Sequence, residues 1–190
     1  MIEEVRRYRQ AGWFQNEVGS DQEVAKRARE RWWAEWESEV DTSGPDDGIF
    51  ICMAGPERAI WFDPESDTCE ENETYTGVLQ ELAALSGGDL VITDVVENWG
   101  REPGRVFVSC GVNGASYELA LHQYDEWVDP KIVAQLNAVL PGDGGRFYVF
   151  DGGGQAFGIT WATSDEAESL MAHGRALLLD RAPDVWPGIR

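Results

Sequence analysis

The sequence predicts an α+β fold: an antiparallel or mixed sheet with several hairpins and helices packed on it, in a single domain of residues 1–190. Three observations carry this. Asn113-Gly114 stands between two runs that alternate apolar and polar residues, the strongest short-range hairpin signal, because both residues accept the positive φ of a type I′ turn. Two capping boxes, Ser20-Asp21-Gln22-Glu23 and Thr163-Ser164-Asp165-Glu166, each open a segment of helical periodicity. At 190 residues and 43% hydrophobic composition, the chain can build a core without disulfide or metal support.

The elements follow in order. Residues 2–11 read as a helix. After the first capping box, Val24, Ala28, Trp32 and Trp36 recur every four residues and mark a second helix. It stops at Asp41-Thr42-Ser43-Gly44-Pro45, a turn-rich stretch that makes residues 41–48 a possible internal boundary. Ile49 to Ala54 is continuously apolar, as for a strand covered on both faces, and Ala59 to Phe62 follows as its hairpin partner. A third helix spans Thr74 to Leu85, with Val78, Leu79, Leu82 and Leu85 on one face and Gly87-Gly88 as a left-handed stop. Strand character resumes from Leu90 to Trp99.

Two-residue closure at Asn113-Gly114 pairs Val112 with Ala115, Cys110 with Tyr117, Val108 with Leu119 and Val106 with Leu121, apolar against apolar each time. Asp129-Pro130 is a cap with a proline at the first helical position, and Ile132, Val133, Leu136, Val139 and Leu140 form the inner face of the helix that follows. Arg146 to Phe150 and Phe157 to Ala162 form a second hairpin around Gly152-Gly153-Gly154. The second capping box then opens a short helix ending at Gly174, and Ala176 to Leu179 is a last strand or a helical turn.

Composition bounds the function. With 35 acidic and 15 basic residues the net charge is -20, which opposes nucleic-acid backbones and anionic membrane surfaces and favours a basic protein partner. The longest apolar run, Ile49 to Ala54, is far below the roughly 20 residues of a membrane span, and no secretory or transit pattern follows Met1, so a cytoplasmic protein is expected. Cys52, Cys69 and Cys110 have neither disulfide-framework nor zinc spacing, and no cofactor or metal is expected.

Candidate chemistries fail on geometry. Ser109 opposite Glu118 and Arg105 opposite His122 suggest a triad, yet Glu118 and His122 are about 13 Å apart along one strand at roughly 3.3 Å per residue. Only His122 and His173 are present as histidines, which gives no metal set. Asp151-Gly152-Gly153-Gly154 lacks the helix start and lysine of a phosphate loop. Asp63, Glu65 and Asp67 have the spacing of a calcium loop, but Thr68 and Thr74 stand where glycine and glutamate are needed. The alternative enzymatic reading is a hydrolase using two carboxylates in a tryptophan-lined cleft, and a third is a non-catalytic assembly subunit.

The distribution of charge is the more specific feature. Residues 41–100 carry 14 acids and one base, Arg58, and hold -13 of the total -20. Asp46, Asp47, Asp63, Glu65, Asp67, Glu70, Glu71 and Glu73 are expected to line loops of a folded sheet and form a docking face, with Trp61 and Trp99 as apolar anchors. The run Trp127-Val128-Asp129-Pro130, the helix to Leu140, Arg146-Phe147-Tyr148-Val149-Phe150 and the acidic-capped helix resemble the immunity proteins of bacterial polymorphic-toxin systems over residues 74–174. That resemblance implies an inhibitor that binds a cognate toxin or other basic enzyme and occludes its cationic surface. It assigns no functional residue.

Overall fold

A computed structural model of the chain describes residues 2–10, 12–14, 17–35, 58–66, 68–124, 126–142, 144–151, 157–172 and 177–178. Their fold is α+β, with five α-helices and two sheets among the described residues. They fall into two compact units, one within Met1–Phe62 and Tyr148–Leu178, the other within Asp63–Phe147. The stretches 41–48 and Ile49 to Ala54 lie outside the described residues, as does the loop at Gly152-Gly153-Gly154.

In the first unit α1 (Ile2–Gln10) and α2 (Asp21–Glu35) accompany a sheet of order β1-β6-β5-β7, where β1 is Ala59–Phe62, β5 Arg146–Asp151, β6 Phe157–Ala162 and β7 Leu177–Leu178. Strand β1 runs antiparallel to β6, which sets the Phe62 and Phe157 rings 5.0 Å apart. Both capping boxes form as the sequence predicts. Ser20 donates its N–H to Glu23 Oε2 at 2.6 Å and receives the Glu23 N–H on its hydroxyl, and Thr163 and Glu166 repeat the exchange at the start of α5 (Ser164–Ala172). Val5, Tyr8, Trp13, Phe14, Val24 and Ala28 pack with Leu170 in the core.

Arg58 ties this unit together. Its guanidinium donates to Glu166 Oε1 at 2.6 Å and lies 5.2 Å from the centre of the Trp13 ring, while its carbonyl accepts the Thr160 hydroxyl.

The second unit is built on a meander of β2 (Ile92–Glu102), β3 (Arg105–Val112) and β4 (Ala115–His122). Asn113 and Gly114 take φ of 49° and 84°, and the four predicted pairs from Val112–Ala115 to Val106–Leu121 are all present. The Asn113 side chain also accepts the Val91 N–H, so the turn anchors the chain entering β2. Strand β2 continues three residues beyond Trp99, past Gly100, and turns through Pro103-Gly104 into β3. One bulge places an extra residue between Thr93 and Val96, with Asp94 at φ 52°. A Cβ on Gly111 would collide with the Thr93 hydroxyl there, so a larger residue would require the Thr93 side chain to shift. Val106, Val108, Cys110, Leu119 and Leu121 are buried, α3 (Thr74–Leu85) packs on β2, and α4 (Lys131–Val139) packs on β4.

Side chains complete β4 where a fourth strand would. Gln135 of α4 accepts the Ala120 N–H at 2.9 Å and donates to its carbonyl at 2.8 Å. Two residues on, Asp129 Oδ2 accepts the His122 N–H, and the Tyr75 hydroxyl donates to the His122 carbonyl. Asp129 Oδ1 caps the Lys131 N–H and so starts α4, and the Asp129 N–H donates to the Tyr75 oxygen. Asn137 likewise bonds both main-chain groups of Phe147, which belongs to this unit.

Tyr75→Phe leaves the His122 carbonyl and the buried Asp129 N–H unpaired, and is expected to destabilise the protein by about 1–3 kcal/mol in denaturant unfolding. Burial pushes the Tyr75 phenol well above its usual range; the Asp129 N–H opposes the rise, and the Asp129 and Glu97 carboxylates add to it. Folding therefore favours the protonated phenol. The contribution is intact below the unfolded value of about 10 and falls as pH rises beyond it, so the wild-type protein should lose stability in alkali more steeply than Tyr75→Phe.

Candidate interaction surface

The acidic stretch entering the second unit is held by its main chain. Asp63 accepts the Glu65 N–H on its own carboxylate, a local turn. The Pro64 carbonyl accepts the Val128 N–H at 2.9 Å, and Glu65 bridges to Trp127. The Glu126 carbonyl accepts three donors from the stretch: the N–H groups of Ser66 and Thr68 and the Thr68 hydroxyl. Thr68 is buried, and the chain then makes a 3₁₀ turn at Glu70–Asn72 before α3.

Helix α3 lacks a cap from its own sequence, because Glu73 sits at φ 47° and its side chain makes no capping bond. The cap comes from β2. Glu97 Oε1 accepts both the N–H and the hydroxyl of Thr76, at 2.7 and 2.9 Å, and Oε2 accepts the Trp99 indole N–H at 3.1 Å. A carboxylate at the positive end of a helix dipole is favourable, so one residue fixes the end of the loop, the start of the helix and the Trp99 ring.

The carboxylates of this loop point outward. Asp63, Glu65, Glu70, Glu71 and Glu73 are all exposed, and Asp63, Glu70, Glu71 and Glu73 have no ion-pair partner among the described residues. Six acids of the first unit are matched, Glu3 with Arg6, Glu4 with Arg7, Asp21 with Arg9, Glu17 with Arg27, Glu30 with Lys26, and Glu166 with Arg58, while Asp165 and Glu168 have no ion pair among the described residues. Asp46, Asp47 and Asp67 lie outside the described residues. Trp61 belongs to the first unit, half-buried against its core. Trp99 belongs to the second, half-buried with its ring 6.1 Å from that of Tyr75. The Asp129-Pro130 motif accounts for the cap of α4, but the Asp129 bond to His122 and the structural roles of Glu97 and the Glu126 carbonyl have no counterpart in a sequence motif.

Carboxylate chemistry finds no support here. Asp129 is the buried acid among the described residues, and both its oxygens are occupied by main-chain N–H groups. Glu23 is held below the usual carboxylate range by its bonds to Ser20. Burial pushes Glu166 up, but Arg58 and Thr163 together outweigh it and hold it low. A general acid needs the opposite shift. Ser109 faces Glu118 and Arg105 faces His122, as the register predicts, and Glu118 pairs with Arg101 while His122 stacks on Tyr124. Cys110 is buried, which pushes its thiol up. Among the described residues no group of three His, Cys, Asp or Glu could hold a metal ion, and no helix is long and apolar enough to cross a membrane.

No protein-family model, no curated protein and no solved structure matches this chain.

The two kinds of acid should respond differently to neutralisation. The triple variant Glu70→Gln, Glu71→Gln, Glu73→Gln is expected to change folding stability by no more than about 0.5 kcal/mol, since no cation is lost and repulsion is relieved. Glu166→Gln should cost about 1 kcal/mol near neutral pH through the charge-assisted bond to Arg58. Because the folded-state value of Glu166 lies below its unfolded value, its stabilisation is present above the unfolded value and lost as pH falls through the folded one. Denaturant titrations from pH 7 to 3 should therefore show a shallower acid loss in Glu166→Gln.

Proposed function

We propose that this chain is a cytoplasmic, non-catalytic protein-binding inhibitor of the immunity type, whose acidic loop 63–73 covers a cationic surface on a cognate toxin or other basic enzyme. The observation that carries this reading is the contrast in pairing. Glu3, Glu4, Glu17, Asp21, Glu30 and Glu166 of the first unit each meet an arginine or lysine, while Asp63, Glu70, Glu71 and Glu73 lie exposed with no ion-pair partner among the described residues. Like charges gathered on a rigid loop repel one another, which costs stability in the free protein. A basic partner reverses that cost. Because the loop is anchored through Glu126, Pro64 and Glu97, little ordering entropy remains to be lost on binding.

Long-range attraction of this kind governs the rate of encounter more than the final affinity. The lysine variants at Glu70, Glu71 and Glu73 should retain the fold. A basic protein captured in stoichiometric amount from the native host by the wild-type chain at low salt should be lost by the variant Glu70→Lys, Glu71→Lys, Glu73→Lys. Its association rate with that variant should fall by about 10-fold or more at low ionic strength, with the difference shrinking as salt screens the loop. Equal capture and equal rates would place the contact elsewhere.

A further inference from the structure

We propose that the outer edge of β2 receives an extended, basic segment of the partner as an added antiparallel strand, beside the acidic loop; this rests on the reading above and names the form in which the partner presents its cations.

The register determines which groups are free. The main-chain groups of Ala120 and His122 turn outward to Gln135, Asp129 and Tyr75, so their neighbours Leu119 and Leu121 bond to β3. It follows that Phe107 and Ser109 of β3 turn toward β2, where they bond Asn98 and Val96. Ile92, Glu97 and Trp99 therefore direct their N–H and C=O groups away from the sheet. Among the described residues no hydrogen bond meets those groups, and β2 is the last strand on that side. The two edges are thus treated differently. Three side chains cover the outward groups of β4 at Ala120 and His122, and none covers those of β2.

An uncovered edge is a template for another strand. The side chains around it select the occupant. On one face the added strand would lie beside Val96, which is 54% exposed. On the other it would lie beside Glu97 and the start of α3, where Glu70, Glu71 and Glu73 precede the helix that Glu97 caps. Cross-strand neighbours on each face favour an apolar residue against Val96 and a lysine or arginine against Glu97. The fitting segment alternates basic and apolar residues. A second copy of this chain is disfavoured, because pairing β2 with another β2 would set Asp94, Glu97 and Glu102 beside an equally acidic strand. The bulge at Asp94 and a second irregularity between Trp99 and Glu102 limit the clean run to the four residues from Val96 to Trp99.

The test uses the full chain and an alternating Lys/Val octapeptide, blocked at both ends. A residue opposite Glu97 must direct its own main-chain groups at β2, so the lysine N–H groups make the bonds and the valine N–H groups face solvent. N-methylation of the lysines should weaken binding by about 10-fold or more, whereas N-methylation of the valines, at identical charge and composition, should leave it within about threefold. In amide hydrogen exchange, the free protein should exchange rapidly at Glu97 and Trp99, and the peptide should slow both. Equal binding of the two methylated peptides, or no slowing at Glu97 and Trp99, overturns the added strand. Failure of the acidic-loop reading looks different: peptide affinity would then be the same for the wild-type chain and for Glu70→Gln, Glu71→Gln, Glu73→Gln, with the effect of lysine methylation intact.

Discussion

A sheet of three strands cannot leave its main-chain groups unpaired where water is excluded, and the second unit meets that constraint with a few polar side chains. Asp129 is the centre of it. Its two oxygens hold the His122 N–H and the first turn of α4, and its own N–H holds the Tyr75 hydroxyl, which reaches back to His122. A strand end, a helix start and the first turn of α3 thereby share one buried network. Every polar atom in it that desolvation would penalise has a partner, which is the condition under which such a network stabilises a fold.

Gln135 and Asn137 extend the same solution. Each carboxamide offers one donor and one acceptor in the geometry of a neighbouring strand, and each bonds both main-chain groups of one residue. From one helix they finish β4 at Ala120 and hold the chain at Phe147 within the same unit. Among the described residues the opposite edge of the meander has no such side chains, and the acidic loop ends beside it. Main-chain bonding capacity and unneutralised charge are thus concentrated on the same part of the second unit, a combination suited to recognising a basic segment by both its backbone and its charge.

Charge pairing separates the two units in another way. In the first, arginines on α1 and α2 reach acids three residues away or on the neighbouring helix, and Arg58 joins Trp13 to Glu166. Such exposed pairs contribute little stability each, but they neutralise the local field. In the second unit no cation among the described residues does this for Glu70, Glu71 or Glu73. Part of the acid excess recorded in the composition is therefore expressed as an uncompensated field over this loop.

Local chemistry made much of this legible in the sequence. Asn113-Gly114 determined a turn and, through the two-residue side-chain period, the register of β3 on β4; Ser20-Glu23 and Thr163-Glu166 determined two helix starts; and the span of α3 followed from its apolar face. Each depends on residues within a few positions of one another. The extension of β2 past Trp99, the Thr93–Gly111 contact at the bulge, the pairing of β1 with β6, and the capping of α3 by Glu97 were decided only in three dimensions, because their partners are brought together by the packed chain. The candidate surface divides in the same way. The concentration of acid in residues 41–100 was visible as composition, but a count of charges cannot distinguish a carboxylate that caps a helix, as Glu97 does, from one that faces solvent unpaired, as Glu70 does; that difference is set by which donors the tertiary structure brings within reach.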